Sequence, residues 1–187
     1  MRLSGYREQS DCRPAAGTSV LQLKEVFHIG VFWYDRTMRT VKRDIVGAFI
    51  FSSDGKLLLG KNRSGGVYEG SYVIPAGGVD DGESNIEALR REIQEETGID
   101  INEAEVSTLH ESSGKHEKTL KETGERVLVK MSFHDYRVEL PIAAAQIKVV
   151  AEDDWAEPHW FSIDELSSLN LAPPTRNNLV KAGMILG

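Results

Sequence analysis

The sequence predicts a mixed α/β sandwich built around one central helix. Runs rich in β-branched and aromatic residues, typical of strands, lie on both sides of a single strong helix signal over residues 84–97. The chain has 187 residues, 40% of them hydrophobic, which suffices for one domain with its own core. No internal repeat and no linker-like stretch separates two domains. We therefore divide the chain into an N-terminal tail and strand extension, residues 1–42, and a main domain, residues 43–187.

The N-terminal region contains two kinds of sequence. Residues 1–17 are polar and lack hydrophobic periodicity, so we expect a loose tail. Residues 20–40 are rich in β-branched and aromatic side chains and predict one or two strands with a turn near Asp35. Strands with this much apolar surface must be covered, either by the chain's own sheet or by a second copy. We predict a homodimer interface, with extension of the chain's own sheet as the alternative.

Three strands are predicted between this extension and the helix. Residues 44–51, DIVGAFIF, have the composition of a buried strand. A turn at 53–55 leads into a second strand at 56–59. A glycine-containing loop over 62–70 then precedes a short strand at 72–74.

Further strands are predicted after the helix, over 105–109 and 126–140. The charged, glycine-containing segment 112–125 between them is predicted to be a loop. Residues 162–165 have the spacing of a capping box and predict a short helix. A closing helix is predicted over 174–184.

The composition excludes several classes of function. The net charge of −7 argues against non-specific nucleic-acid binding, because that binding needs a basic face. Cys12 is the only cysteine, which excludes an internal disulfide and a cysteine metal cluster. No apolar run resembles a signal peptide or could span a membrane. We expect a cytoplasmic protein with neither a nucleic-acid nor a membrane partner.

The central helix has two distinct stripes when its residues are placed about 100° apart. The apolar stripe consists of Ile86, Leu89 and Ile93. The acidic stripe, roughly 100° away, consists of Glu92, Glu95 and Glu96. The helix can therefore bury one side and present three carboxylates along its edge.

This acidic stripe is costly for the helix. Like charges three or four residues apart destabilise a helix by about 0.2–0.5 kcal/mol a pair, and the helix dipole disfavours negative charge in the last turn. A solvated acidic face is the simpler interpretation, but its facing positions would more readily include basic residues, and Arg90 and Arg91 fall on other sides. Three carboxylates on one edge suit Mg²⁺ or Mn²⁺, hard cations that prefer oxygen ligands. The pattern favours a metal site without naming a reaction.

The residues around this stripe resemble a known family. Starting at Gly77, the sequence reads GGVDDGESNIEALRREIQEETGI. This segment resembles the Nudix box, G-x(5)-E-x(7)-R-E-U-x-E-E-x-G-U, in which U is a bulky aliphatic residue. All fixed positions are filled at the correct spacing, by Gly77, Glu83, Arg91, Glu92, Ile93, Glu95, Glu96, Gly98 and Ile99. Flanking segments also look like those of the family, so the resemblance covers about residues 43–185.

The resemblance implies an α/β/α sandwich that hydrolyses a nucleoside diphosphate linked to another moiety, with Mg²⁺ or Mn²⁺ as cofactor. Carried over by position, Glu92 and Glu96 are the leading metal ligands, Glu95 also lies in the metal site, and the Gly77 carbonyl is a backbone ligand. The catalytic set implied is Glu92, Glu95, Glu96, Arg91 and Glu83. In it Arg91 holds a carboxylate in position, and Glu83 braces the loop or joins the metal network. The base that activates water is either Glu92 or an acid from a later loop, within residues 152–157.

Several weaker candidates for substrate binding lie outside the box. Lys61 and Arg63 could meet phosphate, although ordinary surface charge explains them as well. His116 lies in the predicted charged loop, where it would overhang the site. Glu157 is one of the later acids, with a solvated turn as the alternative. The aromatic residues that could stack on a base are Phe32, Trp33, Tyr34, Tyr68 and Trp155.

The sequence leaves the substrate open between a nucleotide sugar such as ADP-ribose and a nucleoside triphosphate. Family members acting on ADP-ribose often have a proline where residues 114–116 are Gly, Lys and His. A different class of function, a catalytically silent module that senses a nucleotide, is disfavoured because the box is intact. The acidic balance of the chain also disfavours RNA decapping.

Overall fold

Within the described part of the chain, a mixed sheet of seven strands forms the middle of the fold. The computed structural model describes residues 38–63, 68–121, 123–151 and 155–187. The predicted tail and nearly all of the predicted strand extension lie outside the described residues. The acids 152–154 lie outside them too.

The secondary structure alternates between strands and a few helices. The strands are β1 (Thr40–Phe51), β2 (Leu57–Asn62), β3 (Tyr72–Val73), β4 (Ala76–Gly78), β5 (Glu105–Thr119), β6 (Arg126–Glu139) and β7 (Trp155–Phe161). The helices are α1 (Asn85–Thr97), α2 (Ile163–Leu166) and α3 (Pro173–Lys181), with a 3-10 turn at Ala144–Gln146. Among the described residues, no helix combines the length and the apolarity needed to cross a membrane.

The strand order is β3-β2-β1-β6-β5, with β4 paired to β1 and β7 paired to β2. The central pair, β1 and β6, is parallel and stays in register from Thr40↔Leu128 to Phe51↔Glu139. The other pairs among the described strands are antiparallel. The sheet is therefore mixed, as the sequence predicts.

Two hydrophobic cores lie on opposite faces of this sheet. On one face α1 contributes Ala88, Leu89 and Ile93 to a cluster with alternate residues of β1, including Val46, Ala48 and Ile50. On the other face α2 and α3 contribute Leu166 and Leu179 to a cluster with Phe49 and Phe51. Side chains alternate between the two faces of a strand, so β1 supplies both cores. This arrangement confirms the predicted α/β/α sandwich.

Helix α1 begins and ends as predicted. Ser84 is the N-cap, and its side chain and that of Glu87 satisfy each other's backbone N–H groups in a capping box. Gly98 ends the helix with φ 69°, a left-handed conformation that favours glycine. Leu89 and Ile93 of the apolar stripe are buried. The acidic stripe is thereby fixed at the edge of the buried face.

The prediction of a loop over 112–125 is wrong. Strand β5 continues to Thr119 and pairs with β6 as far as Arg126, which leaves only a short turn between them. The side chains of residues 111–119 are exposed, so burial imposed no apolar alternation that the sequence could reveal. Charged residues are typical of an edge strand, and β5 is an edge strand of the sheet formed by the described residues. Strand β4 was also not predicted as a strand, because three small residues carry no strand propensity.

Candidate active site

The predicted site forms where β4 meets the edge of α1. Strand β4 pairs with the middle of β1, with Gly77 opposite Val46. The N–H group of Val79, just beyond β4, donates to the carbonyl of Asp44 at 3.0 Å. These bonds fix the glycine-containing strand beside the helix that carries the carboxylates.

Gly77 and Glu92 approach each other closely. A Cβ placed on Gly77 would overlap the carboxyl carbon and both carboxylate oxygens of Glu92. The Glu92 side chain is only 16% exposed, so its carboxylate lies against the β4 backbone and not in open solvent. The first fixed glycine of the box is therefore required by the position of the first glutamate of the acidic stripe.

Arg91 connects the carboxylates of the box. The expectation that Arg91 falls on a different side of α1 from the acidic stripe is therefore wrong, because it lies one helical turn before Glu95 and contacts it. Its Nε and Nη2 atoms donate to the two oxygens of Glu83 at 3.0 and 2.9 Å. Its Nη1 atom donates to Glu92 Oε1 at 2.7 Å and to Glu95 Oε2 at 3.3 Å. A further bond from Nη2 reaches the carbonyl of Gly78 at 2.8 Å. The guanidinium thus ties the loop before α1, the strand β4 and the acidic stripe together.

The charges in this network stabilise one another. The hydrogen bonds that Arg91 donates to Glu83 and Glu92 raise the pKa of Arg91, although partial burial opposes the rise. The Arg91 hydrogen bond lowers the pKa of Glu83, against the effect of burial, with help from the backbone N–H of Asp80. Both groups are therefore charged at neutral pH. Glu83 thereby joins Arg91 to the backbone of Asp80 in the loop before α1.

Glu96 lies beside the start of β4. The backbone N–H of Ala76 donates to Glu96 Oε2 at 3.0 Å. Glu95 is the more exposed member of the stripe, with 54% of its side chain accessible. The structure therefore brings Glu83, Arg91, Glu92, Glu95, Glu96 and Gly77 into one region, where the sequence placed them.

The chemistry of these donors fits a hard divalent cation. The three carboxylates of the stripe and the backbone of β4 offer only oxygen ligands, the kind that Mg²⁺ and Mn²⁺ prefer. Among the described residues, no three acidic, histidine or cysteine side chains converge tightly enough to enclose an ion. Arg91 and the Ala76 N–H group hold carboxylate oxygens of the stripe. Cation binding by three of these carboxylates therefore requires their side chains to move closer together.

A cavity of about 480 Å³ adjoins this region on the α3 side of the sheet. Its walls are mostly apolar, and the polar groups that enter it come from β6 and α3. The residues that line it include Ile45, Gly47, Tyr68, Ile74, Ala76, Phe133, Asp135, Thr175, Asn177, Asn178 and Lys181. Ala76 is shared, because it lines the cavity and donates its N–H to Glu96. A ligand in the cavity would thus extend toward the acidic stripe.

Sequence reasoning missed the polar residues of this cavity. Asp135 is buried on β6 and accepts a hydrogen bond from Asn178 of α3. The residues are 43 positions apart, and no motif connects them. An acidic residue inside the strand sequence FHDYRV was the one available signal. Tyr68, a predicted stacking candidate, does line the cavity.

Two weaker candidates, Lys61 and Glu157, form an ion pair with each other. The pair raises the pKa of Lys61, through its hydrogen bond and charge interaction with Glu157. The Lys61 ammonium also lies over the ring of Tyr72, 5.8 Å from its centroid. Tyr72 packs in the core on the α3 face, so this pair lies across the sheet from α1. The two residues satisfy each other, and the structure does not bring them to the acidic stripe.

The remaining candidates are dispersed. The prediction that His116 overhangs the site from a loop is wrong, since it lies on β5 with its side chain exposed, opposite Val129 of β6. Arg63 is exposed immediately after β2. Trp155 is 2% exposed and packs over Gly60, so it is a core residue and not a stacking platform.

Comparison with known proteins identifies relatives of this chain. The pattern of the NUDIX domain family matches residues 41–182. A Danio rerio protein named 8-oxo-dGDP phosphatase NUDT18 is 28% identical over 143 residues, which are 75% of this chain. The chain spans only 38% of the length of that relative. The nucleoside triphosphatase NudI of Escherichia coli K12 is 28% identical over 137 residues, 73% of this chain and 94% of NudI.

Solved structures show the same fold. The NUDIX domain of Shewanella oneidensis NrtR, solved in complex with ADP ribose, superposes with a TM-score of 0.56. The superposition covers 76% of this chain and 87% of that one, with 16% sequence identity. At this identity the similarity extends to the fold alone.

Proposed function

The chain belongs to the Nudix family, and from that premise we propose that it is a magnesium-dependent pyrophosphohydrolase. Its substrate is a nucleoside diphosphate linked to another moiety, and the bond cleaved lies within the diphosphate. The observation that carries this proposal is the contact between Gly77 and Glu92, with Arg91 joining Glu92 to Glu83. In a merely solvated acidic face the carboxylates would extend into water, and none would pack against the backbone of a glycine.

The acidic stripe and the backbone of β4 would hold the divalent cation. Glu92, Glu95 and Glu96 supply carboxylate oxygens, and Gly77 supplies its carbonyl. A bound Mg²⁺ supplies charge neutralisation of the diphosphate and a lowered pKa for a coordinated water. Mn²⁺ has the same ligand preference and is the expected substitute.

The side chains of this region perform the remaining tasks. Arg91 orients Glu92 by bonding its Oε1 atom, so Oε2 is the oxygen that we assign to the reacting centre, either as a cation ligand or as the acceptor of the proton of the attacking water. Glu157, a candidate base from the later part of the chain, forms an ion pair with Lys61 on the face of the sheet opposite α1. That engagement favours Glu92 among the described candidates.

The cavity on the α3 side provides a place for the nucleoside. Its apolar walls and few convergent polar groups are typical of small-molecule sites. Ala76 lies between the cavity and Glu96, so a nucleoside in the cavity would direct its phosphates toward the acidic stripe. The partner is therefore a nucleotide-type small molecule, in keeping with the substrates that the names of NUDT18 and NudI state for those proteins.

A nucleotide panel tests the proposal. The purified chain is incubated with Mg²⁺ and ADP-ribose, nucleoside triphosphates and nucleoside diphosphates, and released phosphate and monophosphate are measured. We expect hydrolysis of at least one compound, lost without divalent cation and in the Glu96→Gln variant. Binding of these nucleotides without hydrolysis of any would instead support a nucleotide-sensing module.

A further inference from the structure

Asp135 is the one buried carboxylate among the described residues, with 9% of its surface accessible. It lies in the middle of β6, directly beside Gly47 of β1 in the parallel pair. Burial of a charged carboxylate is strongly unfavourable unless partners compensate its charge. Its presence in the centre of the sheet therefore calls for an explanation.

The described partners of Asp135 compensate its charge only in part. Asn178 Nδ2 donates to Asp135 Oδ2, and this is a bond from a neutral amide. Asp135 belongs to none of the salt bridges formed within the described part of the chain. Burial raises the pKa of Asp135, and the charges of His110, His134 and Lys181 and the Asn178 bond oppose that rise. A purely structural role would more usually pair the charge directly.

The geometry directs the carboxylate into the cavity. A Cβ on Gly47 would overlap Asp135 Oδ1, so this oxygen occupies the space above the β1 backbone that glycine leaves open. Gly47 and Asp135 both line the cavity, and Ile45, Ile74 and Phe133 provide apolar walls around them. A carboxylate is therefore presented to an apolar space large enough for a nucleobase.

A carboxylate accepts hydrogen bonds only, so its ligand must present donors. Guanine presents two adjacent donors, N1–H and the N2 amino group, which can bond both oxygens of one carboxylate. Adenine presents one amino group beside N1, an acceptor that would face the carboxylate unfavourably. A buried polar group discriminates strongly against a ligand that leaves it unpaired.

We propose that the cavity binds the base of a guanine-type nucleotide and that Asp135 is the residue that determines this specificity. The proposal rests on the proposed function, since it names the base of the nucleotide whose diphosphate is cleaved at α1. Asn178 holds the Asp135 carboxylate in the orientation that the base requires.

The test compares GTP, ITP and ATP as substrates, because hypoxanthine keeps N1–H but lacks the amino group. For the wild-type chain we expect kcat/KM to fall in that order, with GTP exceeding ATP by about tenfold or more. Asp135→Asn should lower kcat/KM for GTP by roughly 10- to 100-fold and leave ATP within about threefold, because hydrogen bonds to charged groups are among the stronger ones. Asp44→Asn is the matched control, an exposed aspartate on β1. It should leave the ratio unchanged.

A second variant and a second measurement keep the outcome interpretable. Gly47→Ala keeps the Asp135 carboxylate but forces it to a different position. This variant should also reduce the preference for GTP. Binding of GMP and AMP, measured by calorimetry without divalent cation, reports on the cavity independently of hydrolysis. Hydrolysis with equal rates for GTP and ATP would overturn the guanine assignment and keep the proposed function. A GMP preference lost in Asp135→Asn, without any hydrolysis, would support the assignment and overturn the proposed function. If the chain neither hydrolyses nor binds these nucleotides, both the guanine assignment and the proposed function are overturned.

Discussion

Glu92 occupies the space in which a side chain at Gly77 would stand, so the first glycine and the first acidic-stripe glutamate of the box are one structural unit. Fourteen positions of intervening sequence, from 78 to 91, form the turn and the helix that return the chain to this contact. The spacing of the motif thus encodes a contact between a strand and a helix.

Replacing Gly77 tests this contact. In Gly77→Ala the added methyl group would overlap the Glu92 carboxylate, so the glutamate must move away from β4. We expect a loss of kcat of about 100-fold or more, as is typical when a catalytic group is misplaced by an ångström. Gly78→Ala is the matched control, because a Cβ there meets nothing within 4 Å. Steady-state hydrolysis and thermal melting of both variants give the comparison, and similar losses in the two would contradict the proposed role of the contact.

Glu96→Gln is expected to leave the fold intact and to lower turnover by roughly 10²- to 10⁴-fold. The amide oxygen can still accept the hydrogen bond from Ala76, so only the negative charge is lost. Loss of one charge from the stripe relieves repulsion, so the melting temperature without metal should hold or rise. The exposed Glu103→Gln serves as the control for charge alone. Near wild-type turnover at saturating Mg²⁺ would eliminate Glu96 from the metal site.

Metal binding should stabilise the fold through the acidic stripe. At a cation concentration 100 times Kd the stabilisation is about 2.7 kcal/mol, which corresponds to a rise in melting temperature of about 5–10 °C for a domain of this size. The triple variant Glu92→Gln, Glu95→Gln and Glu96→Gln should show almost no rise. Scanning calorimetry with and without Mg²⁺ or Mn²⁺ measures both proteins. An equal rise in the two would place the cation elsewhere.

The pairing of Glu83 with Arg91 predicts a dependence of stability on pH. Because the pKa of Glu83 is lowered below its ordinary value of 4.5 in the folded chain, its contribution is fully present above pH 4.5 and is lost as the pH falls through the folded pKa. Glu83→Gln should therefore be less stable than the wild type at pH 7, and the difference should narrow below pH 4.5. Urea denaturation between pH 7 and pH 3 measures the difference. A difference that stays constant over this range would show that the charge of Glu83 contributes nothing.

We also predict that the N-terminal segment forms a homodimer interface. The apolar residues of segment 20–34 require a cover, and a second copy of the chain can provide one. Deletion of residues 1–37 stops short of β1 and should convert a dimer into a monomer. Light scattering at micromolar concentration measures the mass of both forms. A wild-type chain that is already monomeric under these conditions would refute the interface.

The sequence alone determined the elements whose signals are local. The capping box at Ser84, the glycine at 98 and the apolar stripe of α1 depend on spacings of a few residues, and all three appear in the structure. The acidic stripe is equally local, because helix geometry determines from the sequence that its three glutamates share one side of the helix. The place of Gly77 beside this stripe was predicted only by the resemblance to the Nudix box. The physical chemistry of the stripe suggested a cation but no reaction.

The tertiary structure alone decided the features that depend on strand register. The extension of β5 to Thr119 could not be predicted from the sequence, because its exposed side chains follow no apolar period. Its pairing with β6 makes this segment a strand. The ion pair of Lys61 with Glu157 joins two strands 96 positions apart. The Asp135 carboxylate lies over Gly47 only because β1 and β6 pair in parallel at that register. Such contacts depend on the packing of residues that are far apart in the sequence, and no local pattern of residues predicts that packing.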